Sequence, residues 1–338
     1  MPTTLGLIVE PLASSDTVAA ADRALLAHAS ALGRGSLRIS RLGGDVLSLG
    51  RWHLAPAGGG VALHRRLTGG RAAASGAGFL RISIALPHRS ALTSADPLAL
   101  APEQVLNRAV RGLLDALESA GLPAIYPGRD QVTVGGRPIA VLGLEVDAAG
   151  GTLIDAVLSV ERDQSLLPHL LERADPAGVV TAPMIGPDDV TSMARGLGGA
   201  PSFDELVTRV RRGYESRLGV TFVAEEPPAV DGDDGAFVRA RGAHPDLDRR
   251  ARSATMLGTL EAHCALGDDL RLRDVMLAGD LLVPSRTMAR LEAALRGLVP
   301  RLDVVEPAID DVVRQPGEFV LGVHPLRVVA ETIVRAVR

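Results

Sequence analysis

The sequence predicts an α+β protein built as one large and one small domain. Three observations carry this expectation. Strand-like segments follow one another through paired glycines, at Gly43-Gly44, Gly135-Gly136 and Gly150-Gly151, which reads as an antiparallel meander and not as strand–helix alternation. Helical periodicity is gathered into separate stretches, most clearly Pro102 to Ala120 and Phe203 to Leu218. Between Ala224 and Asp246 the chain turns acidic and rich in proline and glycine, which marks a linker ahead of a last unit of roughly ninety residues.

Taken in order, Leu5 to Val9 reads as a first strand, and Asp16 to Leu32 as a helix with Asp16 as N-cap and Gly33 as its stop. Ser36–Ser40 and Asp45–Leu49 read as strands paired around Gly43-Gly44. Gly60 to His64 and Phe79 to Leu86 flank a glycine-rich stretch. In the Pro102 helix, Val105, Ala109, Leu113, Ala116 and Leu117 share one face, with Pro102 suited to its first turn and Gly121 to its end. Strands follow at Gln131–Val134, Pro138–Leu142 and Thr152–Val160. Helices are expected at Ser165–Ala174, Asp188–Leu197 and Phe203–Leu218, the last led by the capping box Ser202/Glu205. Beyond the linker, Gly258–Leu266 and Leu270–Ala278 read as strands, and Ser285–Leu298 and Pro325–Val337 as helices.

Composition narrows the function classes. The chain has 338 residues, 46% apolar and 22% charged, within the ordinary range for a globular protein. No apolar run reaches the length that spans a bilayer, and Met1-Pro2-Thr3-Thr4 lacks the basic start of a signal peptide. The single cysteine, Cys264, excludes an internal disulfide framework, so the expected location is the cytoplasm. A net charge of −4, no block of like charges and 2% aromatic residues disfavour a nucleic-acid partner. All 36 basic residues are arginine. Mechanisms that use a lysine amine, as a Schiff base or in a P-loop, are therefore excluded.

The stretch Arg65-Arg66-Leu67-Thr68-Gly69-Gly70-Arg71-Ala72-Ala73-Ala74-Ser75-Gly76 is the strongest candidate for a site. Glycine pairs let a backbone approach closely, and successive N–H groups can cradle an anion. A plain surface hairpin connection is the other meaning the pattern allows. Downstream come Gly128-Arg129-Asp130-Gln131 and Gly136-Arg137-Pro138-Ile139, and near the end Leu272 to Asp280 and Leu291 to Gly297. In this order and spacing the chain resembles the lipoate–protein ligases, of the superfamily shared with biotin ligases. That resemblance implies a mixed, largely antiparallel sheet flanked by helices and a small α+β accessory domain. The divisions it suggests are 1–223, a linker over 224–250, and 251–338. It also implies an acyl-adenylate made from lipoate and ATP with magnesium, then acyl transfer to a lipoyl carrier domain. Arg66, Thr68, Gly69, Gly70, Gly128 and Arg129 match positions expected to bind ligand, and Arg71, Ser75, Asp130 and Arg137 complete the candidate ligand-binding set.

The departures fall where the chemistry belongs. Pro138 stands at the family's lysine and offers neither charge nor backbone N–H. The neighbouring Arg137 places charge differently from an ammonium. Arg71 replaces the third glycine, Ser75-Gly76 replaces a His-Asp pair, and Asp130-Gln131 replaces an Asn-Asp pair. Asp155-Ala156-Val157 corresponds to an H-G-T element. The expectation is therefore a catalytically degenerate relative that binds an acyl or nucleotide ligand, a lipoyl carrier domain or a partner ligase. The alternative is an active ligase or acyltransferase with Arg71, Arg137 or Asp130 compensating. A cysteine acyltransferase would need Cys264, which lies on an expected strand of the small domain, with His263 on the opposite face. The histidines lack zinc spacing, and Asp231, Asp233 and Asp234 lack the glutamate of a calcium loop.

Overall fold

A computed structural model describes residues 3–180, 186–230, 234–242, 244 and 246–338. Strand β1 (Thr3–Ala13) leads to helix α1 (Val18–Leu32), then β2 (Ser36–Leu42), β3 (Asp45–Leu49), β4 (Ala62–Arg65), β5 (Ala73–Gly76) and β6 (Phe79–Leu86). Helix α2 (Pro102–Ser119) precedes β7 (Ala124–Ile125), β8 (Gln131–Val134), β9 (Arg137–Val146) and β10 (Thr152–Ser159). Helices α3 (Leu167–Ala174), α4 (Met193–Leu197) and α5 (Phe203–Leu218) follow, then β11 (Val220–Ala224) and the short α6 (Gly235–Arg239). The chain ends with β12 (Arg249–Ala254), β13 (Thr259–Leu266), β14 (Leu272–Gly279), α7 (Ser285–Leu295), α8 (Leu302–Val313) and α9 (Arg327–Ala336).

The main sheet has eight strands in the order β11-β1-β2-β6-β10-β9-β8-β7. Its β11–β1 and β1–β2 pairs are parallel and its other pairs antiparallel. This is the mixed, largely antiparallel sheet flanked by helices that the resemblance implies. One face carries α2 and α5, whose apolar stripe (Val105, Leu106, Ala109, Val110, Leu113, Leu117) packs on Ile82, Ile84, Leu142 and Ile154. Each such Leu, Val or Ile contributes ~1.5–3 kcal/mol by leaving water. The expected capping box forms at the start of α5, with Ser202 and Glu205 each satisfying the other's backbone.

Several expected elements are corrected. β2 and β3 do not pair with each other. β2 lies between β1 and β6, whereas β3 crosses into a small sheet ordered β4-β3-β5. β2 is buried along almost its whole length, so both of its edges are needed by the main sheet. β5 emerges inside the stretch expected as loop, because Ala73–Gly76 finds β3 as a partner. The N-cap of α1 is Thr17, not Asp16. Of Asp188–Leu197 only Met193–Leu197 is helical, capped by Ser192. In the small domain, β12 and α8 are additional; α8 carries Pro307 inside it, which masks its helical pattern in sequence.

The acidic segment is structured where it is described. Asp234 accepts from the Ala19 N–H at 2.6 Å and pairs with Arg23 at 3.2 Å, and Glu225 pairs with Arg34. Asp231 and Asp233 lie outside the described residues. The small sheet β12-β13-β14 packs against α7 and α9 around a core that also contains Trp52 of the large domain. Conversely Leu257, Leu282 and Phe319 enter the large core. The seam between the two units is therefore apolar and continuous. Among the described residues no helix is long and apolar enough to cross a membrane.

Candidate functional site

The glycine stretch lies at this seam. β4 ends at Arg65, and the loop is stitched to the exit of β3, with Arg66 N–H donating to the Leu49 carbonyl and Arg51 N–H to the Thr68 carbonyl. Arg66 and Thr68 are completely buried. The Thr68 hydroxyl donates to Asp155 Oδ1 at 2.7 Å, and Arg66 Nη1 approaches the same oxygen at 3.4 Å while Nη2 reaches the Arg71 carbonyl. Arg81 on β6 adds charge at 3.6 Å from Asp155 Oδ2. Asp155 on β10 stands opposite Gly143 on β9. A Cβ at Gly143 would collide with the Thr68 hydroxyl and the Asp155 carboxylate, so only glycine admits this arrangement.

Arg71 does not project into open space. It makes a two-pronged pair with Asp130, Nε to Oδ2 at 2.7 Å and Nη2 to Oδ1 at 2.8 Å, with Asp130 fully buried. Such fork-to-carboxylate geometry is the strong form of an ion pair. The two glycine amides are engaged as well. Gly69 N–H donates to the Leu144 carbonyl at 3.0 Å and Gly70 N–H to the Leu281 carbonyl of the small domain at 2.7 Å. A Cβ at Gly69 would strike that same Leu281 carbonyl. The glycines let the small domain's backbone come close, and it occupies the approach they open.

The seam is reinforced around this bridge. Trp52 Nε1 donates to the Val283 carbonyl at 3.0 Å, and His53 Nε2 lies 3.1 Å from Asp280 Oδ1. Ser285 N–H, at the start of α7, donates to Glu145 Oε1 at 3.0 Å. Glu145 is buried, and its Oε2 has no hydrogen-bond partner among the described residues. Burial pushes its carboxyl up to about 7, against the opposing pull of Arg51 and of the Ser285 hydrogen bond. His64, just before the motif, is driven well below its usual range by burial and by the charges of Arg81 and Arg66. It is a neutral ring inside the fold.

The structure gathers Arg66, Thr68, Gly69, Gly70, Arg71 and Asp130 into one closed cluster. Ser75 is buried on β5 beside Val46 of β3, its hydroxyl without a partner. Gly128 and Arg129 are exposed and line a separate cleft of about 130 Å³ with Glu103, Tyr126 and Leu257. Arg137 is exposed at the start of β9, and Pro138 presents its carbonyl to the Thr191 N–H at 3.0 Å. Gly143, at the centre of the cluster, and Glu145 and Leu281, at its edge, were not singled out as site residues by their sequence context, and Asp155 was named only as the counterpart of the H-G-T element. The available signal was a carboxylate in each of two otherwise apolar strands, Asp155 in β10 and Glu145 in β9.

ATP, magnesium and lipoate, the groups the resemblance implies, fit this cluster poorly. The amides of Gly69 and Gly70 are taken by carbonyls, and Arg66 and Arg71 are held by carboxylates of the chain itself. Among the described residues no group of three or more His, Cys, Asp or Glu is placed to hold a metal ion. Cys264 lies in the small-domain core with its thiol pushed up to about 12 by burial. Neighbouring His263 is turned to Glu261 at 3.1 Å, so the two form no nucleophile–base pair.

Comparison with known proteins bears on the same region. Residues 55–215 match the model of the lipoyl protein ligase A/B catalytic domain. Lipoate-bound LipL1 of P. falciparum superposes with a TM-score of 0.64 at 12% identity, over 98% of this chain and 99% of its own. A lipoate–protein ligase A bound with ATP gives 0.52 at 18% identity, over 70% of this chain and 94% of its own. The bi-partite lipoate protein ligase of Thermoplasma acidophilum, solved with its E2 lipoyl domain, gives 0.51 at 17% identity, over 71% and 92%. A search of curated proteins finds no match.

Two predictions follow from the geometry. Arg71→Ala leaves the Asp130 carboxylate buried and unpaired, and should lower unfolding stability by about 3 kcal/mol. The double variant Arg71→Met/Asp130→Leu should recover most of that loss, both read from denaturant midpoints. Glu145 carries a raised carboxyl, so folding disfavours its charged form. Its contribution should fall by about 1.4 kcal/mol per pH unit as pH rises from the unfolded value near 4.5 to about 7, then level off. Glu145→Gln should lack that slope, so the difference between the wild-type and variant stability curves should carry it.

Proposed function

We propose that the chain, whose residues 55–215 match the lipoyl protein ligase A/B catalytic domain, is a member of that family that has given up acyl-adenylate formation and acts by binding. One observation carries this reading: the motif's donors face the chain itself, above all Gly70 N–H on the Leu281 carbonyl. Adenylate formation needs the acyl carboxylate and the α-phosphate held together with their charges offset. Here the arginine charge is neutralised by Asp155 and Asp130, the family's lysine position is Pro138, and the chain has no lysine. Loss of a single such electrostatic contact typically costs ~10²–10³ in rate.

The partner class this reading favours is a lipoyl carrier domain, with a ligase subunit as the other candidate. The Thermoplasma acidophilum relative, a bi-partite ligase solved with its E2 lipoyl domain, supplies the analogy. A fold that keeps its scaffold while closing its small-molecule loop retains outer surfaces that a protein partner can use.

A second reading, an active lipoate or octanoate ligase with a rearranged site, draws on one feature. The carbonyl that engages Gly70 belongs to the small domain, so displacing that domain would release the amide. The two readings separate in one assay. The full chain is incubated with ATP, magnesium and lipoate or octanoate, and pyrophosphate and acyl-adenylate are measured. The binding reading predicts no turnover above the protein-free background, together with a complex on titration with a purified lipoyl domain. Clear turnover that Arg66→Ala abolishes establishes the active reading instead.

A further inference from the structure

A second cleft at the domain seam, of about 180 Å³, lies apart from the glycine loop. Its cationic wall is formed by Arg89, just after β6, and by Arg286 in the first turn of α7, with the His88 ring beside Arg89. Its apolar wall includes Pro97, Leu98, Val146 and Pro316. The two domains thus contribute one arginine each.

Among the described residues the charge of this cleft is only partly balanced. Arg286 Nε pairs with Glu318 at 2.8 Å, but Glu318 also serves Arg290 at 2.6 Å and the Thr287 hydroxyl at 2.6 Å. Among the described residues Arg89 has neither an ion pair nor a hydrogen bond, and its Nε is buried without a partner. The Nδ1 of His88 is buried in the same state. The surroundings press on Arg89: burial and the charge of Arg286 lower its pKa, while Glu103 and Asp96 oppose this from beyond contact. The Asp96 carboxylate is already engaged by the Leu98 N–H at 2.9 Å. A half-buried guanidinium normally finds a partner, because an unmade charged hydrogen bond is costly. Two guanidinium groups facing one cleft leave room for an external anion to fill that role.

We propose that this seam cleft binds a small organic oxyanion, a carboxylate or a phosphate monoester, through Arg89 and Arg286 with a short apolar body against Pro97, Leu98 and Pro316. Its volume admits the oxyanion and a few carbons. Because the ligand touches both domains, its binding favours their docked state by mass action. The assignment does not depend on whether the glycine loop is active.

The test is calorimetric titration of the full chain at low ionic strength with butyrate, butyl phosphate and inorganic phosphate, against chloride at matched ionic strength. Saturable binding of butyrate or butyl phosphate is expected, and the tighter of the two identifies the oxyanion class. Arg89→Gln should weaken it about tenfold or more while leaving the ligand-free unfolding midpoint in place. Arg212→Gln, an exposed arginine of α5 outside the cleft, should leave binding unchanged. Absence of saturable binding, equal binding by Arg89→Gln, or equal weakening by Arg212→Gln overturns the proposal.

Discussion

Gly70 donates its N–H to the Leu281 carbonyl, and this one backbone bond holds the glycine loop against the small domain. Its neighbours depend on it geometrically. Gly69 must lack a side chain because the same carbonyl lies where its Cβ would sit. Trp52, just after β3, enters the small-domain core and donates to the next carbonyl but one, Val283. A loop whose form suits cradling a phosphate instead cradles a piece of its own chain. Both tasks require the same glycine pair, since each needs a backbone without Cβ at close approach.

Behind the loop, the fold concentrates charge where a core is usually apolar. Asp155 serves Thr68, Arg66 and Arg81, while Asp22 on α1 holds Arg38 and Arg81 at 3.1 Å each. Arginine suits this role because its planar fork reaches two carboxylates at once. Buried pairs of this kind add little net stability over apolar replacements, yet losing one member is costly. They fix which oxygen meets which nitrogen, and so tie the glycine loop to β6 and β10 and α1 to β2 and β6. The same logic explains Arg71: its charge is tolerated because Asp130 is buried within reach.

Much of the architecture was legible in the sequence. The α2 periodicity, the Ser202/Glu205 capping box and the glycine-linked meander are local signals, and local physics determined the outcome. β2 and β3 misled because a glycine pair between two strands signals a hairpin, whereas the main sheet needed both edges of β2. The site was half legible. Arg66, Thr68, Gly69, Gly70 and Arg71 announced themselves as a motif, and Asp130 by its place in the second loop. Gly128, Arg129 and Arg137 carried the same motif signal but are exposed, the first two on a loop and Arg137 at the start of β9. Glu145 and Leu281, and the role of Asp155, became visible only through pairings across more than seventy residues, which no spacing rule records. That the loop's partner is a backbone carbonyl of the other domain is invisible to sequence, because any residue type can supply one.

The central claim is that the glycine loop is sealed by the chain itself, and amide hydrogen exchange at Gly70 addresses it most directly. The account predicts that the Gly70 amide exchanges as slowly as the amides of β10 in the sheet core, and that ATP, magnesium and lipoate leave its rate unchanged. Rapid exchange at Gly70, or a marked change in its rate on adding those ligands, would contradict it.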